Sequence, residues 1–344
     1  MKSGRIYLVF AITFLLGFGC AYLTIAPSGK AIPAVAQQDV AQPDDALPQH
    51  QPRDDDDSTQ NAWPDDADSP EQVLYAQTAR MQEAIEKLTP RIPDRVNMYV
   101  IAFAGVGEEN VFRNEAEFVV RQFEQRFDAV GHTLLLVNNP QTLEKLPLAN
   151  LTNLETAVDA VAQHMDVDTD ILLLFMTSHG SPDHILSVSM DPLPFDQIGA
   201  EDLSDALQES HIRNKVLIIS ACYAGGFIKP LAGDTTMIIT AAREDRSSFG
   251  CGTDSDITDF GRAFFVEGLN HTDSFTGAFD VAKSLVDAWE VRDHEKHSYP
   301  QMSSTPQIES ALAKWRHGIH LGAPVPFAPP VRTKRSTDDL TAFR

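Results

Sequence analysis

Apolar residues along this chain fall into two kinds of grouping, unbroken runs and stripes at helical spacing, and the two alternate. Runs at 96–103, 132–137, 170–177, 215–221 and 235–241 read as strands. They lack the period-2 alternation of a half-exposed strand, so both faces of the sheet are expected to be covered, as in a parallel sheet. The intervening stretches read as helices at 114–130, where Phe118, Val119, Phe123 and Phe127 share a face, and at 151–164, 198–209, 259–267 and 275–289. Ahead of them a helical pattern starts at Pro70, places Val73, Leu74, Met81, Ile85 and Leu88 along one side, and stops before Pro90. This βαβα alternation predicts a single α/β domain over 71–321, a three-layer α/β/α sandwich with a mostly parallel sheet.

The flanks differ in composition. Residues 1–26 carry Lys2 and Arg5 and then an uncharged apolar stretch from 6 to 26, about the length that spans a bilayer. It is expected to act as a membrane anchor or signal segment, with the rest of the chain exported: anchored in the inner membrane and facing the periplasm, or periplasmic if cleavage occurs near Ala34-Val35-Ala36. Residues 27–70 are rich in Asp, Pro and Gln, with the run Asp54-Asp55-Asp56-Asp57, and form an expected linker extended by like-charge repulsion. Residues 322–344 form an expected flexible tail.

The formal net charge is −22, and 37–70 hold ten Asp against one Arg (Arg53). A nucleic-acid partner needs clustered cations, and the short Arg332-Thr333-Lys334-Arg335 segment does not supply them. Of the three cysteines, Cys222 and Cys251 lie in the predicted domain; both are expected as free thiols.

Two strand ends concentrate the chemistry. The run Ile171 to Thr177 ends in Ser178-His179-Gly180, and the run Val216 to Ile219 ends in Ser220-Ala221-Cys222. Open parallel sheets place their sites at the carboxyl ends of strands, where both residues fall. A thiol reacts as its thiolate, which a neighbouring imidazolium favours, and the same imidazolium can protonate a leaving amine. The amides of Gly180 and Cys222 are candidate donors to the oxyanion. Gly225 and Gly226 suit a tight turn after the nucleophile.

His-Gly and Ala-Cys at successive strand ends, 43 residues apart, resemble the caspase-like cysteine peptidases. The legumain-like family, which includes the GPI-anchor transamidase catalytic subunit, is the closer match. The resemblance covers most of 96–290: Tyr99 to Gly105, Phe112-Arg113-Asn114-Glu115-Ala116-Glu117, Thr177 to Ser181, Ser220-Ala221-Cys222, and Ser247-Ser248-Phe249-Gly250-Cys251. It looks most like a bacterial, exported branch. It implies a caspase-like fold, a thiol endopeptidase needing no metal or cofactor, and a peptide or protein substrate. By the same resemblance Arg113 would line the pocket for the residue before the scissile bond, with Asp254 or Asp256 as acidic counterpart and Ser220 and Ser248 beside the substrate. Such a pocket suits Asn, or Asp when protonated. The family carries a Glu where this chain has Ser220, and its histidine-orienting Asn falls at Val111, so a backbone carbonyl is the expected partner of His179.

Transpeptidation at the same thioester, and a non-catalytic binding module that keeps the fold, are the alternatives. His294-Glu295-Lys296-His297 departs from the zinc-binding His-Glu-x-x-His pattern, and Asp183 and His184 are expected in an exposed loop. Neither a Gly-x-Ser-x-Gly elbow nor a phosphate-binding Gly-Lys-Ser/Thr loop occurs.

Overall fold

The computed structural model describes residues 62–252 and 254–328. Its strands are β1 (Met98–Ala104), β2 (Thr133–Val137), β3 (Ile171–Thr177), β4 (Ile185–Leu186), β5 (Ile198–Gly199), β6 (Asn214–Ser220), β7 (Thr236–Thr240) and β8 (Gln301–Ser303). Six form one sheet in the order β2-β1-β3-β6-β7-β8, parallel except for the antiparallel β7–β8 edge. Strands β4 and β5 pair separately as a small antiparallel ribbon.

The helices are α1 (Pro70–Tyr75), α2 (Gln77–Ile85), α3 (Asn110–Arg126), α4 (Leu151–His164), α5 (Ala200–Glu209), α6 (Ile228–Leu231), α7 (Asp259–Gly261), α8 (Leu269–His271), α9 (Phe275–Asp293) and α10 (Pro306–Gly318). A π-helical stretch, Arg262–Gly268, joins α7 to α8. Alternation along each buried strand divides the apolar side chains between two cores. Met98, Val100, Ala102 and Ala104 of β1 face the layer of α3, α9 and α10, while Tyr99, Ile101 and Phe103 face α4 and α5. This is the three-layer α/β/α arrangement that unbroken apolar runs require.

The details depart from the sequence pattern at several points. Helix α3 starts at Asn110 rather than 114, because Val111 and Phe112 are fully buried as part of its apolar face. The pattern starting at Pro70 is divided into α1 and α2 at Ala76. Ile198 and Gly199 pair with β4 instead of opening α5, and Gly199 donates to Asp202 Oδ2 at its N-terminus. Strand β8 is too short to be seen in the pattern. Residues 322–328, assigned from the sequence to the tail, are docked: Gly322 N–H donates to Arg126 O (2.8 Å), Asn270 and Val325 share two hydrogen bonds, and Phe327 sits edge-on to Phe118. Helix α8 and the C-terminal end of α3 thus hold a segment that composition alone marks as loose.

Among the described residues no helix is long and apolar enough to cross a membrane. The expected anchor at 1–26 and residues 27–61 of the expected 27–70 linker lie outside them.

Candidate active site

The site is built where the sheet changes direction. Strand β1 is flanked by β2 on one side and β3 on the other, a crossover that opens a crevice at the carboxyl ends. Register aligns Ala104 with Thr177 and Thr177 with Ser220. His179 and Cys222 each stand two residues beyond that row, so neighbouring strands deliver them at the same height.

Four features surround the thiol. Ser248 N–H donates to Cys222 Sγ at 3.2 Å, and Sγ lies 3.5 Å from Ser248 O. Cys251 presents its own thiol to the same sulfur. Both cysteines are free. The Cys251 hydrogen bond, the Ser248 amide and the charge of His179 together outweigh burial and bring the Cys222 thiol down to about 6. Cys251 is pushed up by its hydrogen bond to Cys222 and by burial, so it remains a protonated donor. Cys222 takes the charge of the pair because it also meets the Ser248 amide and the charge of His179.

His179 is held by a carboxylate. Its Nε2 lies 3.3 Å from Glu109 Oε1, the residue that caps α3 without a side-chain cap bond, and Phe112 stands edge-on to the ring with centroids 5.0 Å apart. The expected backbone-carbonyl partner is thereby corrected: the helix begins early enough to bring an acidic N-cap to the imidazole. Glu109 Oε2 is buried without a hydrogen-bond partner among the described residues. The hydrogen bond that His179 donates to Glu109 raises its pKa against the effect of burial. Thiolate and imidazolium are therefore favoured together near neutral pH.

Backbone geometry locks the two ends to one another. A side-chain carbon on Gly180 would fall 2.1 Å from Cys222 O, so only glycine permits this approach. Tyr223, not a glycine, takes the left-handed conformation after the nucleophile (φ 56°), donating its N–H to Arg246 O at 2.7 Å. Gly225 and Gly226 follow in a 3-10 turn. His184, expected to be exposed, is half-buried and pairs through Nδ1 with Tyr223 O at 3.1 Å, while Asp183 is exposed.

The other expected site residues are placed differently. Arg113 is 5% exposed, and its guanidinium donates to Asn139 Oδ1 (3.0 Å), Gln141 Oε1 (2.8 Å) and Asn114 Oδ1 (3.2 Å). Burial lowers its pKa. Asn114 in turn donates to Asp256 O at 3.0 Å, which joins Arg113 to the 247–258 loop, where Asp254 is exposed. Ser220 is turned inward, its hydroxyl 3.1 Å from that of Thr258, and Ser248 meets the sulfur through its main chain. A recess of about 450 Å³ between α2 and α4 contains neither His179 nor Cys222.

Residues 148–309, which include both, match the Peptidase C13 family. Over this stretch the chain is similar to legumain-family peptidases. The activity that goes with this family is that of a cysteine peptidase, a hydrolase. No curated protein matches the chain. Among solved structures, the crystal structure of caspase-1 from Spodoptera frugiperda is similar at 12% identity and a TM-score of 0.43, over 61% of this chain and 87% of that chain. Glu109, Phe112 and Cys251 are the neighbours of the His–Cys pair that strand-end motifs did not reveal. For Glu109 and Phe112 the sequence signal is helical spacing: 109, 112 and 115 fall on one face once α3 is started at Asn110.

Proposed function

We propose that this peptidase is an endopeptidase in which the Cys222 thiolate attacks the carbonyl carbon of the scissile peptide bond. A sulfur–carbon bond forms, and the resulting oxyanion is met by the amides of Gly180 and Cys222. Collapse breaks the carbon–nitrogen bond, and the departing amine takes its proton from His179. With Nε2 committed to Glu109, Nδ1 is the nitrogen that serves the thiol and the amine. Water then attacks the thioester, gives its proton to His179, and releases the acid and the thiolate. The observation that carries this reading is the lowered Cys222 thiol, hydrogen-bonded by Cys251 and Ser248 and aligned in register with His179.

We further propose cleavage after Asn, or after protonated Asp, with Arg113 reading the side-chain oxygen. The link from Arg113 through Asn114 to Asp256 supports a subsite that joins a donor with an acceptor-bearing loop. The apolar segment 6–26 is proposed to hold the domain at the exported face of a membrane; alkaline extraction of membranes from expressing cells leaves the chain in the pellet on this reading.

The test is labelling of the full chain with electrophilic peptide probes ending in Asn, Asp or Arg, followed by mapping of the modified residue. Modification of Cys222 that depends on Asn and is lost in His179→Ala supports the nucleophile and its subsite together. Equal labelling by all three probes discards the subsite, and absence of labelling in folded protein discards the mechanism. Cys222→Ala abolishes turnover on this reading, and His179→Ala lowers it by about 10²–10⁴-fold.

A further inference from the structure

Glu115 is an ionisable group that the thiol chemistry does not touch, yet it sits directly beneath it. The residue is 0% exposed. Its Oε2 accepts from the hydroxyl of Thr177, the last residue of β3, at 2.9 Å. Its Oε1 accepts from the hydroxyl of Thr258, the N-cap of α7, at 3.0 Å. The Thr258 hydroxyl lies 3.1 Å from that of Ser220, the last residue of β6, and accepts from Gly261 N–H at 2.9 Å. A side-chain carbon on Gly261 would fall 1.9 Å from Glu115 Oε1, so the glycine is what admits the carboxyl.

Thr177 and Ser220 are register partners, and each stands two residues before a reacting group, His179 in one strand and Cys222 in the other. One carboxyl from α3 therefore gathers the ends of both strands and the start of α7. Three hydroxyls converge on it, and among the groups hydrogen-bonded to it none is charged. Burial without a cation is costly for a carboxylate and pushes Glu115 up to about 7. An apolar residue here would pack more cheaply, so the group is one that the fold retains at a cost.

We propose that Glu115 is a positioning residue for the peptidase reaction, its two oxygens fixing the Thr177 and Thr258 hydroxyls so that His179 and Cys222 keep a common height. The proposal rests on the reading of those two residues as the reacting pair. Ionised, at pH 8 where the measurements are made, the carboxylate accepts on both oxygens. Gln accepts on one and donates from the other, so Glu115→Gln keeps the volume but reverses one of the two hydroxyl contacts. A shift of strand-end geometry of this kind reaches the transition state far more than it reaches ground-state binding.

The experiment uses the full chain and three measurements on wild type, Glu115→Gln and Thr177→Val: the rate of Cys222 alkylation by iodoacetamide, mapped by peptide mass; kcat and KM on an Asn peptide; and the melting temperature. The expected result is a fall in kcat and in Cys222 alkylation of about tenfold to a hundredfold, with KM little changed and no loss of melting temperature in Glu115→Gln. Thr177→Val, which removes a single contact on the His179 side, gives the same pattern if Glu115→Gln does not fold. Unchanged rates in either folded variant overturn the proposal, as do losses that merely track a lowered melting temperature. If wild type cleaves no peptide but its Cys222 alkylation still slows in Glu115→Gln, the positioning role stands and the peptidase mechanism falls. If wild type cleaves and Glu115→Gln does so equally well, the mechanism stands and the positioning role falls.

Discussion

Glu109 Oε1 lies 3.3 Å from Nε2 of His179, so a helix cap supplies the charge that orients the reacting imidazole. The contact joins the loop after β1 to the end of β3 across the point where the sheet order reverses. Because the side chain of Glu109 is only partly shielded, its effect is expected on the pH profile more than on stability.

Removal of that charge has a definite sign. Glu109 holds the His179 pKa above its ordinary value, and the reactive ion pair is lost as pH rises through that raised pKa. In Glu109→Gln the loss moves to lower pH. A pH profile of kcat/KM on an Asn peptide, whose leaving amine needs the His179 proton, checks this: its basic limb shifts acidward while its acidic limb, set by the thiol, moves far less. A basic limb at the same pH in both proteins contradicts the assignment.

Cys251 has the opposite lever. Its thiol is the first cause of the low Cys222 pKa, so Cys251→Ala raises that pKa towards the ordinary thiol range. Thiolate absorbance titrated from pH 5 to pH 9 is expected to appear at higher pH in the variant, and alkylation of Cys222 at pH 6 to slow by about fivefold for a shift of about one unit. Equal titrations would show the second thiol to be a bystander.

Burial of Glu115 should be visible in stability. Burial pushes its carboxyl up to about 7, above the 4.5 of an exposed glutamate. A raised acid contributes relative stability below the lower value, which is lost as pH rises through the higher one. Glu115→Gln is therefore more stable than wild type at pH 8 by at most about 3 kcal/mol, with the difference shrinking towards pH 4.5. Denaturant melts at both pH values decide it; a variant less stable at pH 8 than at pH 5, relative to wild type, reverses the claim.

The approach of Gly180 to Cys222 leaves no space for a methyl group. Gly180→Ala places a carbon against Cys222 O, and forcing the backbones apart is expected to cost about 1–3 kcal/mol. Peptide turnover should be lost even in the folded fraction at low temperature, since the proposed mechanism uses Gly180 N–H to meet the oxyanion. Retained turnover with a small change in melting temperature would show that the loop yields freely.

The long buried strands were legible because a parallel sheet covered on both faces needs unbroken apolar runs, and 171–176 and 216–219 are such runs. Helix α10 was not read from the sequence, although Thr305-Pro306 with Ile308, Leu312 and Trp315 on one face carried a signal for it. Strand β8 carried none: three residues, Gln301, Met302 and Ser303, become a strand through pairing with Thr240, Ile239 and Ile238. The docked segment 322–328 is equally silent, since its order comes from Arg126 and Asn270, far away in the chain.

At the site the division is sharper. The amino-acid sequence by itself determined that a histidine and a cysteine end successive buried strands, because hydrophobic burial dictates strand position and strand ends dictate where polar groups emerge. Tertiary structure alone decided what meets them: Glu109 at His179, Cys251 and Ser248 at Cys222, and Glu115 beneath both. Hydrogen bonds of this kind depend on distances of a few tenths of an ångström between segments 26 to 143 residues apart, and no local pattern encodes them.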